Sequence, residues 1–224
     1  MSARARLEGN PWLSQFEAGD RARIVDEAIV KSFPPGAYIH RKGDEPDGYH
    51  CVLGGHVDIG STAMSGAEIR LVRIGPNDWF GEISVLDGLP RTSDAIAVSS
   101  VETARIPMGA VRRLSEAAPA FREALVLNLC RRFRQAFSGI DDLYQLSPKQ
   151  RLAKWLVDQS ARDGAGARVG ASQDVLSAMI GVSRQSISGY LGDWAAQGLV
   201  EVGYGHVAIP DLRAFTRAAG LEEV

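Results

Sequence analysis

The spacing of apolar residues changes abruptly in the middle of this chain, and that change limits the folds it can adopt. Between residues 36 and 107 the sequence is rich in glycine and breaks into short β-type runs separated by turn residues. After Pro119 apolar residues instead recur every three or four positions, which is typical of an amphipathic helix. Many short strands at close spacing favour a β-sandwich or barrel. We therefore expect a β-domain that is followed by a long helix.

The β-region contains six predicted strands and is preceded by a segment of helical period. That segment covers residues 12–33 and ends at Pro34-Pro35-Gly36, where proline removes a backbone donor and stops a helix. A predicted turn at Ser65-Gly66 separates the third and fourth strands. The six predicted strands are Ala37–His40, His50–Leu53, His56–Ile59, Ile69–Ile74, Asp94–Val98 and Glu102–Ile106.

The long helix carries a narrow apolar seam. Its members are spaced 3, 4, 3, 4 and 3 residues apart, like the a and d positions of a coiled coil. Two interpretations fit this pattern: the seam faces a partner helix, or the helix packs on its own β-domain. A narrow seam on a helix that leaves a β-domain is better explained by a partner helix, so we expect a homodimer. The six seam residues are Val126, Leu129, Phe133, Ala136, Ile140 and Leu143.

A predicted helix start at Ser147-Pro148-Lys149-Gln150 divides the chain. Serine at the N-cap, proline at the first helical position and glutamine at N3 form a capping box, and the proline forces the serine out of helical geometry. A length of 224 residues also favours two domains, since one domain usually has about 100–150. We predict a β-domain over residues 12–118, a dimerisation helix over 119–146 and a C-terminal domain over 147–224.

Residues 80–93 combine side chains that suit a phosphorylated sugar. Gly81 allows close backbone approach, and a short helical turn after it offers free amides to an anion. Arg91 supplies a planar fork of donors for phosphate, and Glu82 can accept a hydrogen bond from a sugar hydroxyl. The alternative is a structural turn in which Arg91 pairs with Glu82 or Asp87. The candidate binding residues are Gly81, Glu82, Ile83, Ser84, Arg91, Thr92 and Ser93.

The C-terminal region has the spacing of a helix-turn-helix. Two predicted helices, Gln173–Ile180 and Arg184–Gln197, are joined at Gly181. This motif places the first turns of its second helix in the major groove, where arginine reads guanine and glutamine reads adenine. The candidate DNA-binding residues at that position are Ser183, Arg184, Gln185, Ser186 and Ser188.

Further predicted elements surround the helix-turn-helix. Arg151–Ser160 is a predicted helix, and Asp163–Gly170 is a predicted loop of mainly glycine and alanine. Leu199–Val202 and His206–Ile209 flank Gly203-Tyr204-Gly205, which predicts a β-hairpin. A hairpin after the second helix is typical of a winged helix and favours DNA binding. The alternative is a helical hairpin that contacts protein.

Together these segments resemble the Crp/Fnr family of bacterial transcription regulators over about residues 12–215. Residues 80–93 match every fixed position of the family's phosphate-binding cassette, Phe-Gly-Glu-(apolar)-(small)-x-(apolar)-x-Gly-x-Pro-Arg-(Thr/Ser/Ala). The resemblance implies an α+β fold with an N-terminal β jelly-roll domain of the cyclic-nucleotide-binding kind, a long dimerisation helix and a C-terminal winged helix-turn-helix domain. It also implies a cytoplasmic homodimer that binds double-stranded DNA operators. Cyclic AMP or cyclic GMP is the implied effector, and RNA polymerase is a candidate partner.

The chain departs from the cyclic-AMP receptors of this family at two places. Gln185 and Gly189 stand where those receptors have a glutamate and an arginine, so the operator sequence does not carry over. Ala136-Phe137 stands where they have a Thr-Ser pair that contacts adenine, so the identity of the effector does not carry over either. Two alternatives follow: a DNA-binding regulator whose effector is not a cyclic nucleotide, or a cyclic-nucleotide-binding module that regulates a protein partner.

Other classes of site find little support in the sequence. Cys51 and Cys130 are too few for an iron–sulfur cluster, and the four histidines lack the spacing of a metal site. His50 and His56 are expected at the surface or at a strand edge, with a haem ligand as the alternative. No catalytic triad stands out, so we do not expect an enzyme. No apolar run is long enough to span a membrane, and we expect no membrane partner.

The net charge of −2 argues at first against a nucleic-acid partner, since DNA-binding proteins usually carry a basic excess. Divided at the predicted boundary, however, residues 147–224 hold eight basic and eight acidic side chains and are neutral. Between Val182 and Gly192 the one charged residue is Arg184. We therefore expect modest non-specific affinity for DNA and a reliance on dimerisation and a specific site.

Overall fold

The structure is a computed structural model that describes residues 1–63, 68–163 and 168–221. The predicted turn at Ser65-Gly66 and residues 164–167 of the predicted loop lie outside the described residues. Contacts divide the chain into two compact units, one formed by residues 1–63 and 70–135, and the other largely by the residues from 136 onward. None of the helices in the described ranges is long and apolar enough to cross a membrane.

The first unit is built from two four-stranded sheets with short helices around them. The sheets have the strand orders β1-β8-β3-β6 and β2-β7-β4-β5, and the pairs β1–β8, β3–β8, β3–β6, β2–β7 and β4–β7 are antiparallel. Each of the six predicted strands is confirmed, with small changes of bounds. The strands are β1 (Ile29–Phe33), β2 (Tyr38–His40), β3 (Gly48–Gly54), β4 (Val57–Thr62), β5 (Glu68–Ile74), β6 (Trp79–Phe80), β7 (Asp94–Ala97) and β8 (Val101–Pro107).

The helices of the first unit lie before, between and after these strands. Before β1 come α1 (Ala3–Glu8), a 3-10 helix (Pro11–Gln15) and α2 (Ala18–Glu27); α3 (Glu82–Asp87) follows β6, and α4 (Met108–Ala117) follows β8. The sequence prediction of helical structure up to residue 33 is wrong beyond α2. Strand β1 has no buried face to reveal it, since four of its five residues are exposed. Its conformation instead depends on pairing with β8, from Ile29 opposite Arg105 to Phe33 opposite Val101.

Helix α5 (Pro119–Gln145) begins on the β-domain and continues as an exposed helix. Its buried residues all lie in the first ten positions, where Phe121 and Leu125 join the aromatic core and Asn128 Nδ2 donates to the Tyr49 hydroxyl at 2.9 Å. Most of the apolar seam is exposed: Phe133 and Leu143 leave about 60% of their surface accessible, while Leu129 is half-buried. Within the first unit, Val126 and Phe133 are thus not buried on the β-domain, which favours the partner-helix interpretation.

The second unit has the predicted helix-turn-helix with a three-stranded sheet of order β10-β11-β9. Its elements are α6 (Pro148–Asp163), β9 (Arg168–Gly170), α7 (Gln173–Ile180), α8 (Arg184–Ala196), β10 (Glu201–Gly203), β11 (His206–Ala208) and α9 (Leu212–Ala218). The capping box at the start of α6 is confirmed: Gln150 N donates to Ser147 Oγ at 3.3 Å, and Ser147 N donates to Gln150 Oε1 at 3.1 Å. Residues 168–170, predicted as loop, form β9, because Val169 pairs with Val207 of the hairpin.

Candidate functional site

The turn between β6 and α3 requires glycine. Gly81 has φ +92°, and a Cβ added there would lie 2.4 Å from Nη1 of Arg91. Gly88, also left-handed, ends α3 after six residues. Backbone and guanidinium therefore approach each other more closely than any side chain at position 81 would allow.

Arg91 is buried and holds the cassette together. Its side chain is 1% exposed, and its guanidinium donates to the carbonyls of Gly81 (3.1 Å) and Gly48 (2.6 Å) and to Oδ1 of Asp47 (2.7 Å). The partners expected for Arg91 in the structural-turn alternative, Glu82 or Asp87, are wrong, because Arg91 pairs with Asp47. Nε of Arg91 is also buried and has no hydrogen-bond partner.

The Asp47 carboxylate, just before β3, pairs with three basic side chains. Besides Arg91, it accepts hydrogen bonds from Arg105 Nη1 at 2.7 Å and from His50 Nε2 at 3.0 Å. Burial raises the pKa of Asp47, but hydrogen bonds and charge from His50, followed by the bonds from Arg91 and Arg105, outweigh it and hold that pKa well below its usual range. Asp47 could not be predicted from the sequence, since it lies 44 positions before Arg91 and in no recognised motif.

Glu82 is the second buried group of the cassette. It is 6% exposed, and its Oε2 atom has no hydrogen-bond partner. Burial raises its pKa, while a hydrogen bond to its own backbone and the charges of Arg132, Arg131 and Arg91 act in the opposite direction. Arg132 belongs to α5 and donates to the carbonyl of Trp79 at 3.0 Å. The first part of α5 therefore brings cationic side chains toward the cassette, which the site prediction did not include.

The other predicted binding residues differ in how far they are buried in the protein. Ser84 is buried, and its hydroxyl donates to the carbonyl of Pro90 at 3.3 Å. Ile83 is 40% exposed, Thr92 is exposed and Ser93 is half-buried. The structure thus brings together Glu82, Ser84 and Arg91 of the predicted set, with Gly81 between them.

Two buried histidines, His40 and His50, pack against Phe80 beside the cassette. The expectation that His50 lies at the surface or at a strand edge is wrong. It is 2% exposed, it pairs with both β6 and β8, and its ring stacks on Phe80 at 5.0 Å between centroids. His40, 7% exposed, lies 5.9 Å from the Phe80 ring and 6.3 Å from the His50 ring. Burial, together with the charges of Arg91 and His50, lowers the pKa of His40 to about 3. Burial also lowers the pKa of His50, although Asp47 opposes the shift.

The described residues do not offer an obvious metal site. No group of three or more histidine, cysteine, aspartate and glutamate side chains within residues 1–63, 68–163 and 168–221 is placed to hold a metal ion.

Helix α8 presents its first turns to solvent. Gly181, with φ +76°, ends α7, and Ser183 Oγ caps α8 by accepting from Ser186 N at 3.1 Å. Ser183, Arg184, Gln185 and Ser188 are exposed, and Ser186 is half-buried. The Arg184 guanidinium lies 3.4 Å from Asp174 Oδ2, but both side chains are about two-thirds exposed. Such a pair is weak and leaves the arginine available to another partner.

The opposite side of α8 fixes its orientation. Ile187, Leu191 and Trp194 are buried against Leu176 of α7 and the rest of the second core. The exposed face therefore consists of the capping turn and small residues, with Tyr204 fully exposed at the tip of the β10–β11 hairpin.

Comparisons with known proteins agree with both halves of this description. Residues 30–118 match the family model of the cyclic nucleotide-binding domain, and residues 150–218 match that of the Crp-like helix-turn-helix domain. Over 204 residues the chain is 31% identical to the CRP-like cAMP-activated global transcriptional regulator of Mycobacterium tuberculosis. The matched region covers 88% of this chain and 91% of that protein. The chain belongs to the Crp/Fnr family of transcription regulators.

Two other similarities extend over most of this Crp/Fnr protein. It is 31% identical over 196 residues to the cyclic AMP receptor protein of Thermus thermophilus, with 86% of each chain covered. The solved structure of the c-di-GMP responsive global regulator CLP from Xanthomonas campestris superposes with a TM-score of 0.75 at 22% identity, covering 87% of this chain and 100% of that one. The second similarity shows that the β-domain, long helix and helix-turn-helix fold is shared.

Proposed function

We propose that this protein is a homodimeric, sequence-specific transcription regulator whose β-domain binds a cyclic nucleotide. The observation that carries the effector assignment is a pair of buried polar atoms without hydrogen-bond partners in one cassette, Nε of Arg91 and Oε2 of Glu82. Buried polar groups normally have partners, and a ligand bound in the cassette would supply them for these two atoms. One of these atoms donates and the other accepts.

The chemistry of the two groups fits a cyclic phosphate joined to a ribose. The Arg91 guanidinium donates to phosphate oxygens, and the Glu82 carboxylate accepts from the 2′-hydroxyl. Gly81, Ser84 and the backbone of α3 complete the proposed site, with Ile83, Thr92 and Ser93 at its exposed edge. The two relatives with 31% identity are described as cAMP-activated and as a cyclic AMP receptor, which favours cyclic AMP, with cyclic GMP as the second candidate.

A second copy of this chain is the proposed partner of the α5 seam. Val126, Phe133, Ile140 and Leu143 each leave more than 40% of their surface exposed in the protomer. Pairing two such helices removes these side chains, with Leu129 and Ala136 between them, from water.

The exposed turns of α8 are the proposed DNA-reading surface. Arg184 and Gln185 reach base edges in the major groove, while Ser183, Ser186 and Ser188 contact phosphates. A dimer then places two α8 helices about 34 Å apart, one helical turn of DNA. The effector controls this only by binding more tightly to one state of the dimer than to another. A cytoplasmic location and contact with RNA polymerase belong to the same proposal.

A mobility-shift assay tests the DNA half of the proposal. The operator is first selected from a random-sequence pool with the full-length protein, and binding is then measured at several salt concentrations. A DNA-reading regulator binds the selected site more tightly than random DNA, and its affinity falls steeply with salt. If the protein selects no sequence and shows no salt-dependent shift, it is instead a module that regulates a protein partner.

Calorimetric titration tests the effector half. Protein that has been unfolded and refolded, so that any co-purified ligand is removed, is titrated with cyclic AMP, cyclic GMP and cyclic di-GMP. The last is included because the Xanthomonas relative in fold is described as responsive to c-di-GMP. Heat of binding with one of the first two supports the proposal, and its absence with both contradicts it.

A further inference from the structure

Polar atoms without partners gather around Asp47. Five buried nitrogens there make no hydrogen bond: Nε of Arg91, Nε of Arg105, Nδ1 of His50, and both ring nitrogens of His40. The side chains of His50 and the two arginines are nevertheless fixed in position, because another nitrogen of each is bonded to Asp47. His40 differs from these three, since neither of its nitrogens makes a hydrogen bond of normal geometry. It carries both a donor and an acceptor, and the Ser93 backbone contacts the ring only outside normal hydrogen-bond geometry.

The backbone places His40 beside the cassette arginine. His40 is the last residue of β2, and the turn after it is tied to the end of the cassette by two reciprocal bonds, Gly43 N to Arg91 O and Arg91 N to Asp44 O, both 2.8 Å. Lys42 N also donates to Asp94 Oδ1 at 2.8 Å. A hydrogen-bonding contact with the backbone of Ser93 raises the pKa of His40, against the larger effect of burial. Arg91 is thus bonded through its backbone to the turn after β2, and through its side chain to Asp47 and Gly48 at the start of β3.

The His40 ring is fixed on its apolar sides. It is 7% exposed and lies against the rings of Phe80 and His50, at 5.9 and 6.3 Å between centroids. Burial and the charge of Arg91 keep it uncharged at neutral pH, since its pKa is lowered to about 3. An uncharged imidazole carries one N–H donor and one acceptor nitrogen. It can therefore add a hydrogen bond to a site without adding charge.

The charge around Asp47 suits a ligand with one negative charge. Two guanidinium groups, those of Arg91 and Arg105, share this single carboxylate, which leaves one positive charge in excess within this cluster, while the nearby Glu82 is also set against Arg131 and Arg132 of α5. A phosphodiester such as a cyclic nucleotide carries one negative charge, and a donor that stays neutral keeps this match. A protonated histidine at position 40 would instead favour a doubly charged phosphate monoester.

We propose that His40 contacts the effector directly, with a ring N–H that donates to the phosphate bound by Arg91. This inference rests on the proposed function, because it requires a cyclic nucleotide in the cassette. It assigns His40 as a specificity residue of that site.

The test is calorimetric titration of full-length protein with cyclic AMP and cyclic GMP. The wild type is compared with His40→Leu, which keeps the volume and removes the donor, and with His40→Asn and His40→Gln, which return a donor near Nδ1 or Nε2. His56→Gln, just before β4 in the same unit, is the matched control. We expect His40→Leu to bind about 10- to 100-fold more weakly, as for the loss of one hydrogen bond to a charged group. One amide variant should recover part of that loss, and the control should match the wild type.

A second readout separates contact from mere packing. In protein labelled with ¹⁵N at histidine, one ring nitrogen of His40, identified by its absence in His40→Leu, should shift on saturation with the nucleotide. If the wild type binds neither nucleotide, the effector assignment itself fails and this inference with it. If the wild type binds while His40→Leu has the same affinity, or the His40 resonances stay in place, the cassette assignment stands and the role of His40 is wrong.

Discussion

The effector cassette and the first turns of α8 differ in how their polar side chains are held. In the cassette, Arg91 is 1% exposed and already makes three hydrogen bonds within the protein. On α8, Arg184 is 66% exposed and has a single long ion pair. A buried polar group contributes both to the stability of the fold and to the binding of a ligand. An exposed polar group contributes mainly to the binding of a partner. Substitutions should therefore change stability and binding together in the first region, and binding alone in the second.

Arg91→Leu should have the largest effect and should show both consequences. It removes one member of a buried ion pair and one donor from each of the Gly81 and Gly48 carbonyls, so we expect a loss of about 3 kcal/mol in the free energy of unfolding. Binding of cyclic nucleotide should become undetectable by calorimetry. Urea denaturation measures the first quantity.

The matched control for this substitution is Arg113→Leu. Arg113 pairs with Glu27 on the surface and is 65% exposed, so its loss should cost less than about 1 kcal/mol. Equal stability losses in the two variants would show that Arg91 is not a structural member of the cassette.

The exposed seam of α5 predicts the next effect. Phe133→Asp places a charge in the proposed dimer contact, and we expect dimerisation to weaken by about 2 kcal/mol or more. Sedimentation velocity at several protein concentrations measures this shift. Ser138→Asp, exposed on the same helix and outside the seam, is the control and should leave the oligomeric state unchanged. A Phe133→Asp protein that sediments like the wild type would refute the seam as the interface.

Arg184→Ala tests the exposed half of the comparison. We expect binding to a selected operator to weaken by about 1–3 kcal/mol, while the free energy of unfolding changes by less than about 0.5 kcal/mol. Gln197→Ala, just beyond the other end of α8, should leave both quantities unchanged. The readout role fails if the variant binds operator and random DNA with the same ratio of affinities as the wild type.

Acid should destabilise the cassette unit gradually. The pKa of His40 is about 3 in the folded protein and 6.5 ordinarily, so the unfolded chain binds a proton first as the pH falls. Stability that is present above pH 6.5 should then be lost between pH 6.5 and 3, at up to about 1.4 kcal/mol per pH unit. His50, whose pKa is also lowered, acts in the same direction.

Hydrogen exchange of amides in β3 and β8 measures this dependence. Comparing His40→Leu with the wild type at the same pH cancels the intrinsic exchange rate, and the variant should show a shallower loss of protection. An identical pH dependence in both proteins would mean that His40 is not buried as described.

Features fixed by neighbouring residues could be predicted from the sequence. The capping box at Ser147 and Gln150, the hairpin around Tyr204 and the glycine at position 81 each depend on a few consecutive positions, and the structure has all three. The cassette itself was found because its residues lie within 14 positions of one another. The order of elements followed from the change of apolar period.

Features fixed by distant pairing could not be predicted in the same way. Strand β1 shows no alternation of buried residues and takes its form by pairing with β8, 68 to 76 positions later. His50 is polar by type but is covered by Phe80 and bonded to Asp47. Asp47 becomes the partner of Arg91 only because strand pairing brings the start of β3 to the cassette. In each case the contact that determines the structure joins two segments that are distant in the sequence, and no local sequence pattern predicts that they lie close together.

The central claim is that the cassette and the helix-turn-helix are linked, and one measurement tests it directly. The dissociation constant for a selected operator is determined with and without saturating cyclic nucleotide, for the wild type and for Arg91→Leu. The account predicts that the nucleotide changes the operator affinity of the wild type at least fivefold, as expected for a coupling of about 1 kcal/mol or more, and leaves that of Arg91→Leu unchanged. Equal operator affinities with and without nucleotide in the wild type would contradict it.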